Sequence, residues 1–215
     1  MAICIEILIA FAVVVCGALK ILPFGGLPLL VLVAVTSVRL RGGRPADIGL
    51  EWRRLGLTLV CWSSAFGIAY QALSLLVLDP LVQDVTGVAQ DISVFAGIRG
   101  NVRVLVLNLI LTWTLAAFGE EFVFRGYLLN RIAQLWNASS AAFWMGIILS
   151  SALWSISHFY QGIAGVILVA LHGVVFGLLY LLVGRNLWFT IFAHGVYDTT
   201  AFLLIFFGRY PNSSL

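Results

Sequence analysis

The sequence predicts an all-α fold, a polytopic transmembrane helix bundle of about seven spans (six to eight), and three observations carry that reading. Hydrophobic residues make up 62% of the 215 residues and charged residues only 10%. The mean hydropathy of +1.08 lies outside the range of soluble globular domains. The apolar residues also fall into seven runs, most of them near the roughly 20 residues a membrane span needs. This leaves room for one intramembrane domain over residues 1–215 and little else.

The runs cover residues 3–19, 27–39, 55–78, 104–130, 140–158, 163–183 and 187–208. The first lacks the basic start of a signal peptide, carries Glu6, and has Val15 where a lipobox before Cys16 needs a small residue, so it reads as a retained span. The second is short, follows Gly25-Gly26 and begins by Pro28, which leaves it tilted, re-entrant or fused with its neighbour across Pro23. Between the second and third runs, Arg44 to Arg54 reads as a short interfacial helix with Trp52 at the headgroups. Asp79 to Arg103 is the longest polar stretch, with Asp79, Asp84, Asp91, Pro80 and Gly87, and reads as the outer loop. The remaining five runs are continuous helices on length and composition.

The net charge of +3 does not point to nucleic acid, because the basic residues sit in short connections and form no polar face. They report orientation. Arg39, Arg41, Arg44, Arg53 and Arg54 crowd the connection after the second run, which by the positive-inside rule places that connection and the N-terminus in the cytoplasm. Cys4, Cys16 and Cys61 lie within apolar runs without C-x-x-C spacing, so neither a disulfide framework nor a zinc knuckle is indicated and all three read as core residues.

Against this hydrocarbon background, Gly119 to Gly126 reads Gly-Glu-Glu-Phe-Val-Phe-Arg-Gly. A charge near the middle of a membrane helix costs about 2.5–3.5 kcal/mol on insertion scales, so Glu120, Glu121 and Arg125 need partners or a function. Glu121 and Arg125 have the four-residue spacing and the order of a favourable helical ion pair, which alone would hold helices in register. Glu120 lies about 100° round an α-helix from Glu121 and is left for another partner. Trp154 precedes His158 by four residues near the end of the fifth run. His194 precedes Asp198 by four in the last, and neither is comfortable facing lipid. His172 reads as a helix-to-helix hydrogen bond, and Gly173 and Gly177 as packing positions.

These three segments, in this order on three helices, resemble the CAAX-protease and bacteriocin-processing (CPBP, or Abi) intramembrane endopeptidases. That family carries Glu-Glu-x-x-x-Arg, then an aromatic four before a His, then a His four before Asn or Asp. The spacers Gly173-x-x-x-Gly177, Leu178-Leu179-Tyr180 and Gly184-Arg185-Asn186-Leu187-Trp188 are also similar. The resemblance covers about Thr112 to Thr199 within a motif-bearing core of about 104–208. It departs from the commonest form in Trp154 for Phe and Asp198 for Asn.

The resemblance implies that Glu120 and His158 activate a water, that His194 and Asp198 support the oxyanion, and that Glu121 and Arg125 support the site. Asp198 can instead orient His194. No cofactor is certain. Glu120, His158 and His194 would suit a three-ligand zinc site by residue type, although His-Glu-x-x-His is absent. The implied substrate is a membrane-associated peptide or protein, and the short chain is similar to the prokaryotic branch. The prenyl proteases of the family further imply a site opening to the cytoplasm. Two other classes remain open at this point: a proton-coupled transporter, which also uses intramembrane Glu, His and Asp but for which no inverted repeat is visible, and a non-catalytic scaffold or immunity protein.

Overall fold

The computed structural model describes residues 2–211. Seven helical rods make up the bundle: α1 (Ala2–Ala18), α2 (Leu27–Leu40), α3 (Leu57–Thr86), α4 (Val102–Gln134), α5 (Ser140–Ile156), α6 (Gly162–Leu182) and α7 (Leu187–Phe206). No strand occurs among the described residues. With their lead-in turns, α2, α3, α4, α6 and α7 are long and apolar enough to cross a membrane. The other two have 17 residues each. Such a helix rises about 25 Å, short of a hydrocarbon core of about 30 Å. The bundle and the seven rods follow the sequence reading, while the number long enough to span unaided is five.

Several connections differ from expectation for local reasons. The second run is not fused with the first: Phe24 and Gly25 take left-handed φ of 51° and 62°, breaking the chain between α1 and α2. The two then pair as a hairpin, with Glu6 near the start of α1 reaching Ser37 and Arg41 at the end of α2. The expected outer loop is shorter, because α3 continues through Asp79–Thr86. Pro80 has no N–H and crowds the carbonyl four residues back. The helix passes it by widening to π winding over Ser74–Leu78. The connecting segment that remains is 87–101. The expected interfacial helix at Arg44–Arg54 is two 3₁₀ turns, Pro45–Ile48 and Trp52–Arg54. Gly49, at φ 93°, interrupts them. Its carbonyl accepts from the Leu187 N–H at 3.0 Å, and Tyr180 donates to the Ile48 carbonyl at 3.3 Å, so this segment is pinned to the bundle. Cys4 and Cys61 are exposed on the outside of the bundle and are not core residues. An apolar run does not distinguish a lipid-facing position from a core one.

The helix α4 is the axis of the arrangement and packs against α2, α5 and α7. Every residue from Glu121 to Asn130 is buried. Close approach of α5 and α6 depends on glycine: a Cβ at Gly173 would sit 2.6 Å from that of Ser151, and one at Gly177 3.0 Å from Ile147. Gly146 meets the Leu129 carbonyl of α4 in the same way, at 2.6 Å.

The alternation of helices sorts the connections onto two ends. One end gathers Arg39, Arg41, Arg44, Arg53, Arg54, Arg131 and Arg185, and it includes the start of α1 because Glu6 pairs with Arg41 and Arg131. At this end Arg54 also donates to the carbonyls of Val183 and Gly184 beyond α6. The other end carries segment 87–101, with Lys20, Arg99, Arg103 and Arg209.

The packing yields a direct expectation. Gly173→Ala should lower the thermal midpoint in detergent, at a cost of about 1–3 kcal/mol for forcing volume into a filled interface. The same exchange at Gly56, where a Cβ meets nothing within 4 Å, should leave it unchanged.

Candidate active site

The site is built on a change of winding in α4. From Thr112 to Leu129 the helix takes π winding, with hydrogen bonds from residue i to i+5, so the expected α-helical angle between the two glutamates does not apply. Such wide turns are rare and occur often at functional sites. Asn130 closes the wide segment by donating to the carbonyls of Arg125 (3.0 Å) and Gly126 (2.8 Å). The two carboxylates nevertheless part, as the sequence reading required.

Glu121 turns inward. It is fully buried, and its Oε1 lies 2.9 Å from Arg125 Nη1 and accepts from His194 Nδ1 at 3.0 Å. The four-residue pair read from the sequence is therefore present, and it has a third member on α7. With Nδ1 committed to Glu121, the other nitrogen of His194, Nε2, faces Asp198 Oδ2 at 3.5 Å. His194 is thus oriented by two carboxylates, and Glu121 makes the shorter contact. The sequence offered only Asp198 for that task.

Glu120 turns the other way and is only part-buried. Its Oε2 accepts from the indole N–H of Trp154 at 2.8 Å. The Trp154 ring stands edge-on to the rings of His158 and His194, at 5.5 Å and 5.6 Å between centroids, and the Arg125 guanidinium lies over its face at 4.1 Å. His158 lies beyond the end of α5, in the turn before α6. Its hydrogen bonds run through Nδ1, to the Trp154 carbonyl and the Ser157 hydroxyl at 3.1 Å each. That leaves Nε2 as the nitrogen able to serve a solute.

Glu120, His158, His194 and Asp198 line one cavity of about 330 Å³, together with Tyr160, Gln161 and an apolar wall that includes Leu115 and Val169. Glu121 and Arg125 stand behind the wall and do not line it. His172 does line it, although the sequence marked it only as a hydrogen-bonding residue. Its ring meets Ser74 on α3 at 3.3 Å and Tyr197 on α7 at 3.2 Å, as that reading expected. The cavity reaches segment 87–101 through Gln90, Ile92 and Phe95, and none of the arginine-rich turns lines it.

The sequence suggests zinc on Glu120, His158 and His194 by residue type alone. Among the described residues no three His, Cys, Asp or Glu side chains come together to hold a metal ion. His194 gives Nδ1 to Glu121 and turns Nε2 toward Asp198.

The buried ion pair supports a stability test. Arg125→Met leaves Glu121 without its full cation and should destabilise the protein by about 3–5 kcal/mol, whereas adding Glu121→Gln to it should recover part of the loss. Unfolding midpoints in detergent measure both.

Comparison with known proteins places the segment that holds these motifs. Residues 102–200 match the family profile described as Type II CAAX prenyl endopeptidase Rce1-like. No curated protein matches the chain, and no solved structure does.

Proposed function

We propose that this integral membrane protein, whose residues 102–200 match the Rce1-like CAAX endopeptidase profile, hydrolyses a peptide bond of a membrane-associated substrate in the cavity between α4, α5 and α7. The observation that carries this reading is the convergence of Glu120, His158, His194 and Asp198 on one cavity inside an otherwise apolar bundle. A cavity of about 330 Å³ admits a short stretch of extended peptide with its scissile carbonyl.

In this reading a water lies between Glu120 and Nε2 of His158. Glu120 takes a proton as the water oxygen attacks the carbonyl carbon, a general-base step contributing about 10²–10⁴-fold. Negative charge then develops on the carbonyl oxygen. A donor fixed beforehand in a water-poor cavity stabilises it without having to reorganise. His194 Nε2 fills that place, because Glu121 holds the opposite nitrogen. An ionised Asp198 would repel the oxyanion, so its part is to orient His194. Collapse of the tetrahedral adduct breaks the C–N bond, and the proton held by Glu120 passes to the leaving amine. No metal enters these steps.

The same architecture constrains the side of access. α1 begins at the arginine-rich end, whereas the cavity reaches segment 87–101 at the other end. The arginine excess favours the end where α1 begins as the cytoplasmic one. The substrate segment then enters from the outer half of the membrane.

Purified protein in nanodiscs should cleave a membrane-peptide pool, farnesylated or unlipidated, with products read by mass spectrometry. Glu120→Gln should reduce cleavage by about 10²–10⁴-fold. Asp198→Asn should keep most of the activity, and 1,10-phenanthroline should not change it. Equal cleavage by wild type and Glu120→Gln would overturn the assignment, and absence of cleavage in both folded proteins would leave the scaffold reading in its place. Sidedness has its own measurement. With the native cysteines replaced, a cysteine at Gly87 should react with an impermeant maleimide from outside intact cells and one at Gly42 should not; the reverse pattern would place the cavity on the cytoplasmic side.

A further inference from the structure

We infer that Trp154 is a positioning residue whose indole N–H holds Glu120 toward the cavity and away from Arg125. This rests on the reading of Glu120 as the base and concerns what keeps that carboxylate available.

Two adjacent glutamates stand beside one buried guanidinium. Arg125 Nη1 pairs with Glu121 at 2.9 Å, yet neither Nη1 nor Nη2 makes a hydrogen bond of good geometry among the described residues. Glu120 and Arg125 both contact Trp154, one at its indole N–H and the other over its ring face. A carboxylate free to rotate beside an unsatisfied buried guanidinium moves to it, since charge-assisted hydrogen bonds are the strong ones and a buried polar group left unpaired is costly. A base so captured is lost to the water it must deprotonate.

Trp154 prevents this in two ways. Its ring face covers Arg125, with the guanidinium carbon 4.1 Å from the ring centroid, so that the cation is partly satisfied by the π-system. Its rim presents the N–H to Glu120 Oε2 at 2.8 Å, leaving the other carboxylate oxygen for water. One side chain thus separates the ion pair from the base. A phenylalanine here, the residue commonest in the family this chain resembles, would retain the ring and offer no donor, so the tether belongs to this chain's own form of the motif.

The test compares wild type, Trp154→Phe and Glu120→Gln in nanodiscs. Trp154→Phe should lower kcat by about ten- to a hundredfold, the range expected for losing one hydrogen bond to a charged group, with KM and thermal midpoint little changed. A purely structural role would instead lower the midpoint without that split. A second readout does not depend on turnover. In protein labelled with ¹⁵N-indole tryptophan, the Trp154 N–H resonance, identified by its loss in Trp154→Phe, should lie downfield and move to the unbonded range in Glu120→Ala. An indole resonance that ignores Glu120→Ala overturns the tether whether or not the protein cleaves peptides. Unchanged kcat in Trp154→Phe alongside an inactive Glu120→Gln overturns it while leaving the proposed activity intact. Activity that survives Glu120→Gln removes the base assignment itself.

Discussion

The buried carboxylate of Glu121 is the constraint on which the site depends. An ionised group at this depth is tolerable only if its charge is met nearby, and here Arg125 from the same helix and His194 from α7 meet it at 2.9 Å and 3.0 Å. Breaking such a pair is costly because the surviving charge has nowhere to go. The consequence is positional. Satisfying Glu121 fixes the rotation of α4, sets the depth of α7 relative to it, and aims the second nitrogen of His194 at the cavity. Glu120, next in the chain, is thereby turned out of the ion pair. One carboxylate is held in the ion pair, and its neighbour lines the cavity.

That division extends through the bundle. The arginine-rich end is tied by short-range polar contacts: Glu6 to Ser37, Arg41 and Arg131, Tyr127 to Glu6, and Arg54 to the last carbonyls of α6. Below it the segment from Glu121 to Asn130 is buried without interruption. The opposite half instead surrounds the cavity. Its polar side chains, among them Gln90, Gln161, His172 and Tyr197, line a space able to hold a peptide. A closed end and an open end are what a hydrolase in a membrane requires, because water must reach the reacting bond without leaking through the bundle.

Much of this was legible in the sequence, and the failures have physical causes. The helical class followed from hydropathy, and the residues lining the cavity from the cost of placing charge in hydrocarbon. The Glu121–Arg125 pair was readable because four-residue spacing is local information. Its third partner was not, since nothing in the sequence says which face of α7 meets α4; Glu121, not Asp198, proved the closer partner of His194. The winding of α4 escaped because the periodicity argument assumes 3.6 residues per turn. Zinc was suggested by residue types alone, and no group of three ligating side chains gathers among the described residues. The indole tether had one signal, a tryptophan where phenylalanine is usual, which adds a donor to a position otherwise only aromatic.

Glu120 lies midway along α4 and His158 just beyond the end of α5, yet both contact Trp154. With 17 residues α5 stops at Ile156. The turn carrying His158 stays beside Trp154, whose indole N–H meets Glu120. Irregular backbone at membrane depth is tolerated only when its polar groups are satisfied within the protein. They are: His158 N–H donates to the Ser155 carbonyl at 3.0 Å, Gln161 N–H to the His158 carbonyl at 2.9 Å, and Asp91 N–H from segment 87–101 to the Gln161 carbonyl at 3.0 Å. Gln90 adds a side-chain bond to Gln161 at 2.8 Å. Gly162, at φ 74°, then lets the chain reverse into α6. The shortness of α5 is thus part of the site, because it holds an imidazole beside the indole that meets the carboxylate, and segment 87–101 satisfies the backbone that this exposes.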